Sequence, residues 1–183
     1  MNTSRSAERL MLSLALSAAF ACGRAEPRSS AGALREPNLH STTLSPANSG
    51  RMLPGGAYRA SITLEGEAPA DQVRGGGSGE YLVRVANLGD TPFPAFPDPQ
   101  GRGAVNLTCR IYTASPAPAV AGGCNRFTMP ADLQPGQSIV LKVVVPYPAA
   151  AGAYDVHIEL VHEMLAWFVD QGSPPLVIRV KVA

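Results

Sequence analysis

The stretch that decides the fold is YDVHIELVHE, residues 154–163. Its apolar side chains fall on every second position, at Tyr154, Val156, Ile158 and Leu160. Polar side chains occupy the positions between them. Because successive residues of a β-strand point to opposite faces, this period of two predicts a strand with one buried and one solvated face.

Outward from this stretch, further segments show the same period, at residues 58–64, 80–87, 104–113, 138–145 and 176–182. Clusters of Gly, Pro, Asn and Asp separate them, which is typical of strands joined by turns. No segment carries a sustained helical stripe. The pattern predicts an all-β domain over residues 57–183, an antiparallel immunoglobulin- or fibronectin-like β-sandwich of about seven strands. A small β-barrel is the alternative.

Composition limits the remaining organisation. The chain has 183 residues, of which 45% are hydrophobic and 16% charged, so it accommodates one ordinary domain and a targeting segment. Loss of residues 1–21 would remove Arg5, Arg9 and Glu8 from 15 basic and 14 acidic residues, leaving 13 of each. That balance argues against a nucleic-acid partner, which would require a basic face.

The N-terminus is typical of export. Residues 1–9 carry Arg5 and Arg9, and residues 10–21 form an apolar run that ends in the small-x-small triplet Ala19-Phe-Ala21. Residues 1–21 therefore predict a secretory signal peptide. The run is too short for a membrane span of about 20 residues.

Cys22 follows the triplet directly, and Gly23 comes next. This arrangement resembles the lipobox of bacterial lipoproteins. The resemblance implies that Cys22 carries a lipid and anchors the protein to a membrane, on the periplasmic or the cell-surface side. The alternative is ordinary cleavage that releases a soluble periplasmic protein. Residues 22–56 are rich in Gly, Pro and Ser without an apolar period, which predicts a flexible tether.

Two cysteines remain, Cys109 and Cys124. An exported chain folds in an oxidising compartment, so these two predict a disulfide that closes a loop of about fifteen residues. Two buried free thiols are one alternative. A metal site is another, but no His or Cys ligand flanks either position at a metal-binding spacing.

The sequence offers little for catalysis. It lacks a Gly-x-Ser-x-Gly motif, and the glycine-rich run at residues 75–79 lacks the Lys of a phosphate-binding loop. His157 and His162 lie five positions apart, so on one strand they face opposite sides and cannot share a metal. We therefore expect no enzyme activity, no cofactor and no metal. A metal-handling or enzymatic role for these two histidines is the lowest alternative.

The candidate ligand-binding residues cluster near the C-terminus. Aromatic faces stack on sugar rings, and neighbouring polar groups can hydrogen-bond hydroxyls. The candidates are Trp167, Phe168, Asp170 and Gln171, extended by the outward-facing Arg110 and Tyr112. The competing interpretation is that one of the two aromatic residues plugs the core. Alternation would then leave its neighbour exposed.

A series of short motifs recurs in order along the domain: MPADLQPGQS at 129–138, VVP at 144–146, GAY at 152–154, LVHE at 160–163 and WF at 167–168. The series resembles immunoglobulin-like modules attached to bacterial glycosyltransferases and other surface-polysaccharide proteins, and it covers residues 58–183. The resemblance implies an immunoglobulin-like sandwich without a catalytic role. It also implies that Tyr154 forms a tyrosine corner.

These observations favour a non-catalytic, exported and lipid-anchored envelope module that binds a glycan or another envelope protein. The alternative from a different class is a structural or assembly protein, in which an exposed sheet edge pairs with a partner strand.

Overall fold

The computed structural model describes residues 48–67, 70 and 72–183. Within these ranges the chain forms ten strands and one 3-10 helix. The strands are β1 (Ala60–Glu65), β2 (Gln72–Val73), β3 (Ser78–Asn87), β4 (Val105–Thr113), β5 (Val120–Gly123), β6 (Phe127–Thr128), β7 (Ser138–Pro146), β8 (Gly152–His162), β9 (Ala166–Trp167) and β10 (Leu176–Val182). The helix spans Val169–Gln171. The predicted signal peptide, Cys22 and residues 23–47 of the predicted tether lie outside the described residues.

The strands form two sheets. The smaller has the order β1-β3-β7, and the larger has the order β2-β10-β8-β4-β5, with β6 paired to β4 and β9 paired to β8. Every pairing is antiparallel except that of β2 with β10. The six long strands coincide with the six segments of period two. The prediction of an antiparallel immunoglobulin-like β-sandwich is confirmed.

The core lies between the sheets, because each long strand turns its apolar face toward the opposing sheet. The inward side chains with at most 1% exposure include Val83, Val85, Val143, Val145, Leu107, Ile111, Val156, Ile158 and Leu160. Burying one such side chain contributes about 1.5–3 kcal/mol. The period of two in the sequence is therefore the direct source of the two-layer architecture.

Tyr154 forms the expected tyrosine corner. Its hydroxyl donates to the carbonyl of Ala150 at 2.9 Å, four residues upstream, while its ring is buried in the core. The bond fixes the path by which the chain enters β8, the strand on which the outer face of the larger sheet depends.

The packed region begins earlier than residue 57, the boundary expected from composition. Leu53 is 8% exposed and belongs to the core, and the side chain of Asn48 donates to the carbonyls of Phe96 and Arg102. Asn48 and Leu53 therefore attach this segment to the sandwich, although its composition resembles that of a linker. These long-range contacts hold the segment in place, although its sequence has no apolar period.

Ser173 joins the free edge of β1 to the segment that precedes β10. Its buried hydroxyl accepts from the amide of Ala60 at 3.0 Å and donates to the carbonyl of the same residue at 3.1 Å. Both backbone groups of this edge residue are thereby satisfied. A partner strand cannot pair with β1 at Ala60 without displacing this contact.

Candidate functional site

The outer face of the larger sheet carries most of the sequence-predicted site. Directly paired residues point to the same face, and the pairing of β4 with β8 places Arg110 opposite His157 and Thr108 opposite Glu159. The short strand β9 then pairs with the end of β8, with Trp167 opposite Val161. Arg110 and Trp167, separated by 57 positions in the sequence, therefore meet on one surface.

Trp167 and Phe168 face opposite ways. Phe168 is 1% exposed and packs edge-to-face against Tyr58 and Phe93, with both centroid distances 5.0 Å. It belongs to the core, so its prediction as a ligand-contacting residue was wrong. Trp167 is half-buried on the outer face. Phe168 thus plugs the core, as in the competing interpretation, while its neighbour Trp167 is half-buried rather than fully exposed.

Arg110 lies against the indole ring of Trp167. Its guanidinium carbon is 4.4 Å from the ring centroid, within the range of a cation–π contact. The same guanidinium forms a two-pronged pair with the carboxylate of Glu159, in which Nη2 donates to Oε2 at 2.7 Å and Nε donates to Oε1. This carboxylate raises the pKa of Arg110.

A second arginine approaches the same ring. The guanidinium carbon of Arg126 lies 5.4 Å from the centroid of Trp167, and its Nε donates to the carboxylate of Glu163 at 2.7 Å. Its Nη1 donates to the hydroxyl of Thr108 at 3.0 Å. Both arginines at Trp167 are thus already paired with a carboxylate.

Cys124, which forms a disulfide with Cys109, lies two residues before Arg126 in the chain. The disulfide joins β4 to the segment between β5 and β6, with the two Cα atoms 4.9 Å apart. The predicted pairing of these cysteines is confirmed. Because Cys124 is held to β4, the chain that follows it delivers Arg126 to the outer face of the sheet.

Tyr112 extends the surface beyond Arg110. Its ring centroid lies 4.8 Å from that of His157 and 5.9 Å from the guanidinium carbon of Arg110. Arginine and aromatic side chains therefore run continuously across the outer face of the larger sheet. We call this set the arginine–aromatic stripe; it consists of Arg126, Trp167, Arg110, Tyr112 and His157.

A cleft of about 280 Å³ opens at the Trp167 end of this stripe. We call it the Trp167 cleft; it is lined by Val161, His162, Met164, Leu165, Ala166, Trp167 and Asp170. Its rim includes Met164, whose φ of 60° places a non-glycine residue in the left-handed region. The structure thus brings Trp167 and Asp170 into one site. Gln171 is exposed in the adjoining 3-10 helix and is absent from the described lining.

His162 is part of a buried network. It is 1% exposed, and its Nδ1 lies 2.9 Å from the hydroxyl of Tyr58. This hydroxyl accepts from the amide of Leu53 at 3.1 Å, so its own proton is directed to His162. Burial lowers the pKa of His162, which therefore stays neutral at neutral pH. His157, in contrast, lies on the outer face beside Tyr112.

The described part of the chain contains no group of three or more His, Cys, Asp and Glu side chains arranged to hold a metal ion. Met164, two positions after His162 in the turn that follows β8, is 74% exposed, whereas His162 is buried. None of the described helices is long and apolar enough to cross a membrane.

The sequence pattern did not single out two residues of this site. They are Arg126, a member of the stripe, and Glu159, the partner of Arg110. Glu159 occupies a polar position in its strand, where alternation indicates a solvated side chain, yet it is 1% exposed. Arg126 lies outside every segment of period two. The only signal for either residue was opposite charge, and charge cannot select a partner before the strand register is known.

No protein-family model matches this chain, and no curated protein matches it. Solved structures do match. A β-glucosidase from Listeria innocua in complex with glucose is 11% identical, with a TM-score of 0.38, over 68% of this chain and 16% of its own. A CARDB domain from Pyrococcus furiosus is 20% identical, with a TM-score of 0.36, over 68% of this chain and 96% of its own.

An alkylpurine DNA glycosylase from Pseudomonas fluorescens bound to DNA is 9% identical, with a TM-score of 0.41, over 70% of this chain and 32% of its own. The chain therefore spans less than two thirds of the length of the glucosidase and of the glycosylase. Because these likenesses are low, the fold assignment rests on the strand order, register and core described above. Strand order, register and core define the chain's class as an immunoglobulin-like β-sandwich.

Proposed function

We propose that this chain is an exported, non-catalytic binding module of the cell envelope. In this proposal a lipid on Cys22 attaches it to a membrane, and the Trp167 cleft binds a saccharide. The leader sequence supports export, and the small-x-small triplet before Cys22 supports the lipid. The outer face of the larger sheet supports the binding role.

The observation that carries the saccharide proposal is the position of Trp167 in the wall of the cleft, beside Asp170. An indole offers an apolar surface on which a sugar ring stacks, and a carboxylate accepts hydrogen bonds from sugar hydroxyls. The cleft volume lies just below the range of about 300–1,000 Å³ that is usual for small-molecule sites. A single sugar ring is therefore a better match than a long segment of chain.

Charge favours a neutral saccharide over an anionic one. Asp170 contributes a carboxylate to the cleft, while Arg110 and Arg126 at the indole are each paired with a glutamate. An acidic sugar would approach the Asp170 carboxylate without an uncommitted arginine among these two to offset the repulsion.

Isothermal titration with malto-, cello- and chito-oligosaccharides tests this proposal, with oligogalacturonate as the anionic probe. We expect one neutral class to bind, Trp167→Ala to abolish the heat of binding, and oligogalacturonate to give no response. Leu82→Ala is the matched control, since Leu82 is a 50% exposed apolar residue of the smaller sheet. Absence of binding to every neutral class would contradict the saccharide assignment.

The alternative ligand is an envelope protein. Trp, Tyr and Arg are the residue types that dominate the energetics of protein interfaces, and the stripe contains all three. Retention of the chain on protein-containing envelope fractions, lost in Tyr112→Ala and unaffected by free oligosaccharides, would assign the stripe to a protein partner.

Lipid attachment has a separate test. Metabolic labelling with a palmitate analogue is expected to mark the wild-type protein, and Cys22→Ser is expected to remove both the label and membrane fractionation. An unlabelled wild-type protein that fractionates as Cys22→Ser does would leave the soluble periplasmic alternative.

A further inference from the structure

Glu159 is a buried carboxylate at an outward-facing position of β8. It is 1% exposed although its neighbour on the same face, His157, is only half-buried. A buried carboxylate is costly unless it is paired and hydrogen-bonded. An acid at this position is therefore expected to have a specific role, since a threonine or valine would complete the strand without the desolvation cost of a carboxylate.

The partner of Glu159 is Arg110, and the pair is bidentate. Both carboxylate oxygens contact the guanidinium, through Nε and Nη2. Two parallel hydrogen bonds fix the plane of a guanidinium as well as its position, which a single contact does not. Glu159 thus determines how the flat group of Arg110 is presented to the surface.

The fixed guanidinium then lies 4.4 Å from the centroid of the Trp167 ring. A second arginine–carboxylate pair on the same strand provides a comparison. Arg179 contacts Asp155 through Nε at 3.0 Å, with the Arg179 side chain 79% exposed, and no ring contact of Arg179 is present among the described residues. Among the described residues two such pairs reach the indole, Arg110–Glu159 and Arg126–Glu163, and the first has the nearer guanidinium and the more deeply buried acid.

We propose that Glu159 is a positioning residue: by holding Arg110 against Trp167, it sets the orientation of the indole in the wall of the Trp167 cleft. Its consequence for saccharide affinity rests on the proposed function, whereas its consequence for the indole does not. Glu159 itself does not touch the ligand.

The fluorescence of Trp167 tests this inference, because it is the only tryptophan in the chain. In Glu159→Gln, which keeps the shape but loses the charge, we expect a red-shifted emission and stronger quenching by acrylamide. Arg110→Lys is expected to change both signals in the same direction, since an ammonium group cannot form the planar fork. Asp155→Asn removes the comparison pair and is expected to leave both signals unchanged.

Binding of the saccharide class found for the wild type is expected to weaken by about fivefold in Glu159→Gln, the order expected when one side chain has to be ordered on binding. Far-UV circular dichroism identifies any variant that does not fold. If Glu159→Gln fails to fold, Arg110→Lys decides the question, because Arg110 is partly exposed.

Unchanged emission and quenching in a folded Glu159→Gln and in Arg110→Lys would overturn the inference. A spectral change in both variants, with no saccharide bound by the wild type, would support the positioning role while rejecting the proposed ligand.

Discussion

Two neighbouring residues show how little separates the core from the surface in this molecule. Trp167 and Phe168 are both large aromatic residues, yet Trp167 lies beside two arginines on the outer face and Phe168 packs between Tyr58 and Phe93. Phe168 lies just past the end of β9, at the start of the 3-10 helix, where its side chain enters the core.

Replacing these two aromatic residues is therefore expected to affect different properties. Phe168→Ala is expected to lower the free energy of unfolding by about 3–5 kcal/mol, since it leaves a cavity in the core. Trp167→Ala is expected to cost much less stability while removing saccharide binding. Urea denaturation followed by circular dichroism measures both. Equal losses of stability in the two variants would contradict the assignment of Trp167 to the outer face.

Ser173 is expected to stabilise the fold through its two hydrogen bonds to Ala60. Ser173→Ala leaves the amide and the carbonyl of Ala60 buried without their partner, so a loss of about 1–3 kcal/mol in the free energy of unfolding is expected. The control is Ser115→Ala, because Ser115 is exposed in a loop. Equal stability of the two variants, measured by urea denaturation, would show that the β1 edge does not depend on Ser173.

The sequence could predict that Trp167 and Phe168 differ, but not which of them is buried. That choice depends on Phe93 and Tyr58, which approach from distant segments. The residues that contact the indole could not be predicted from the sequence either. Arg110 was expected to face outward, but its contact with Glu159 follows only from the register of β4 against β8.

At the scale of elements, the disulfide organises the segment between β4 and β7. It holds Cys124 to β4, and Thr108 donates to the carbonyls of Cys124 and Asn125, each at 3.3 Å. The short strands β5 and β6 then pair with β4 on either side of this anchor along the chain. The contact of Arg126 with Trp167 depends on this arrangement.

The double variant Cys109→Ser, Cys124→Ser is expected to lower the free energy of unfolding by about 3 kcal/mol, the entropy of closing a fifteen-residue loop. Trp167 is expected to become more accessible to acrylamide in this variant, because Arg126 loses its anchor. Urea denaturation and quenching measure the two effects. Reductant should reproduce both in the wild type and change neither in the variant.

The long strands could be predicted because each shows at least three alternating apolar residues. The four short strands β2, β5, β6 and β9 have two to four residues, too few for a period to be recognised. They form because the long strands offer a free edge. The site depends on β9 in particular, which explains why its geometry was not evident from the pattern alone.

At the scale of the whole molecule, the buried histidine links stability to pH. Burial lowers the pKa of His162 below its ordinary value of 6.5, so the folded protein resists a proton that the unfolded chain accepts. The free energy of unfolding is therefore expected to fall as the pH drops below 6.5, and to level off below the lowered pKa.

Urea denaturation between about pH 7.5 and about pH 5 measures this effect, above the range in which ordinary carboxylates titrate. His162→Gln is expected to be less stable at neutral pH but to show a smaller dependence on pH in this interval. His157→Gln, which alters the outer face, is the control and should retain the dependence. An unchanged dependence in His162→Gln would assign the effect to another group.

The central claim is that this sandwich presents Trp167 to a saccharide on the outer face of its larger sheet. The most direct test is the intrinsic fluorescence of the sole tryptophan in the wild-type protein, titrated with the oligosaccharide panel. We expect an emission that acrylamide quenches and that changes saturably with one neutral saccharide class, which then protects it from the quencher. An emission that acrylamide cannot quench and that no saccharide alters would contradict the claim.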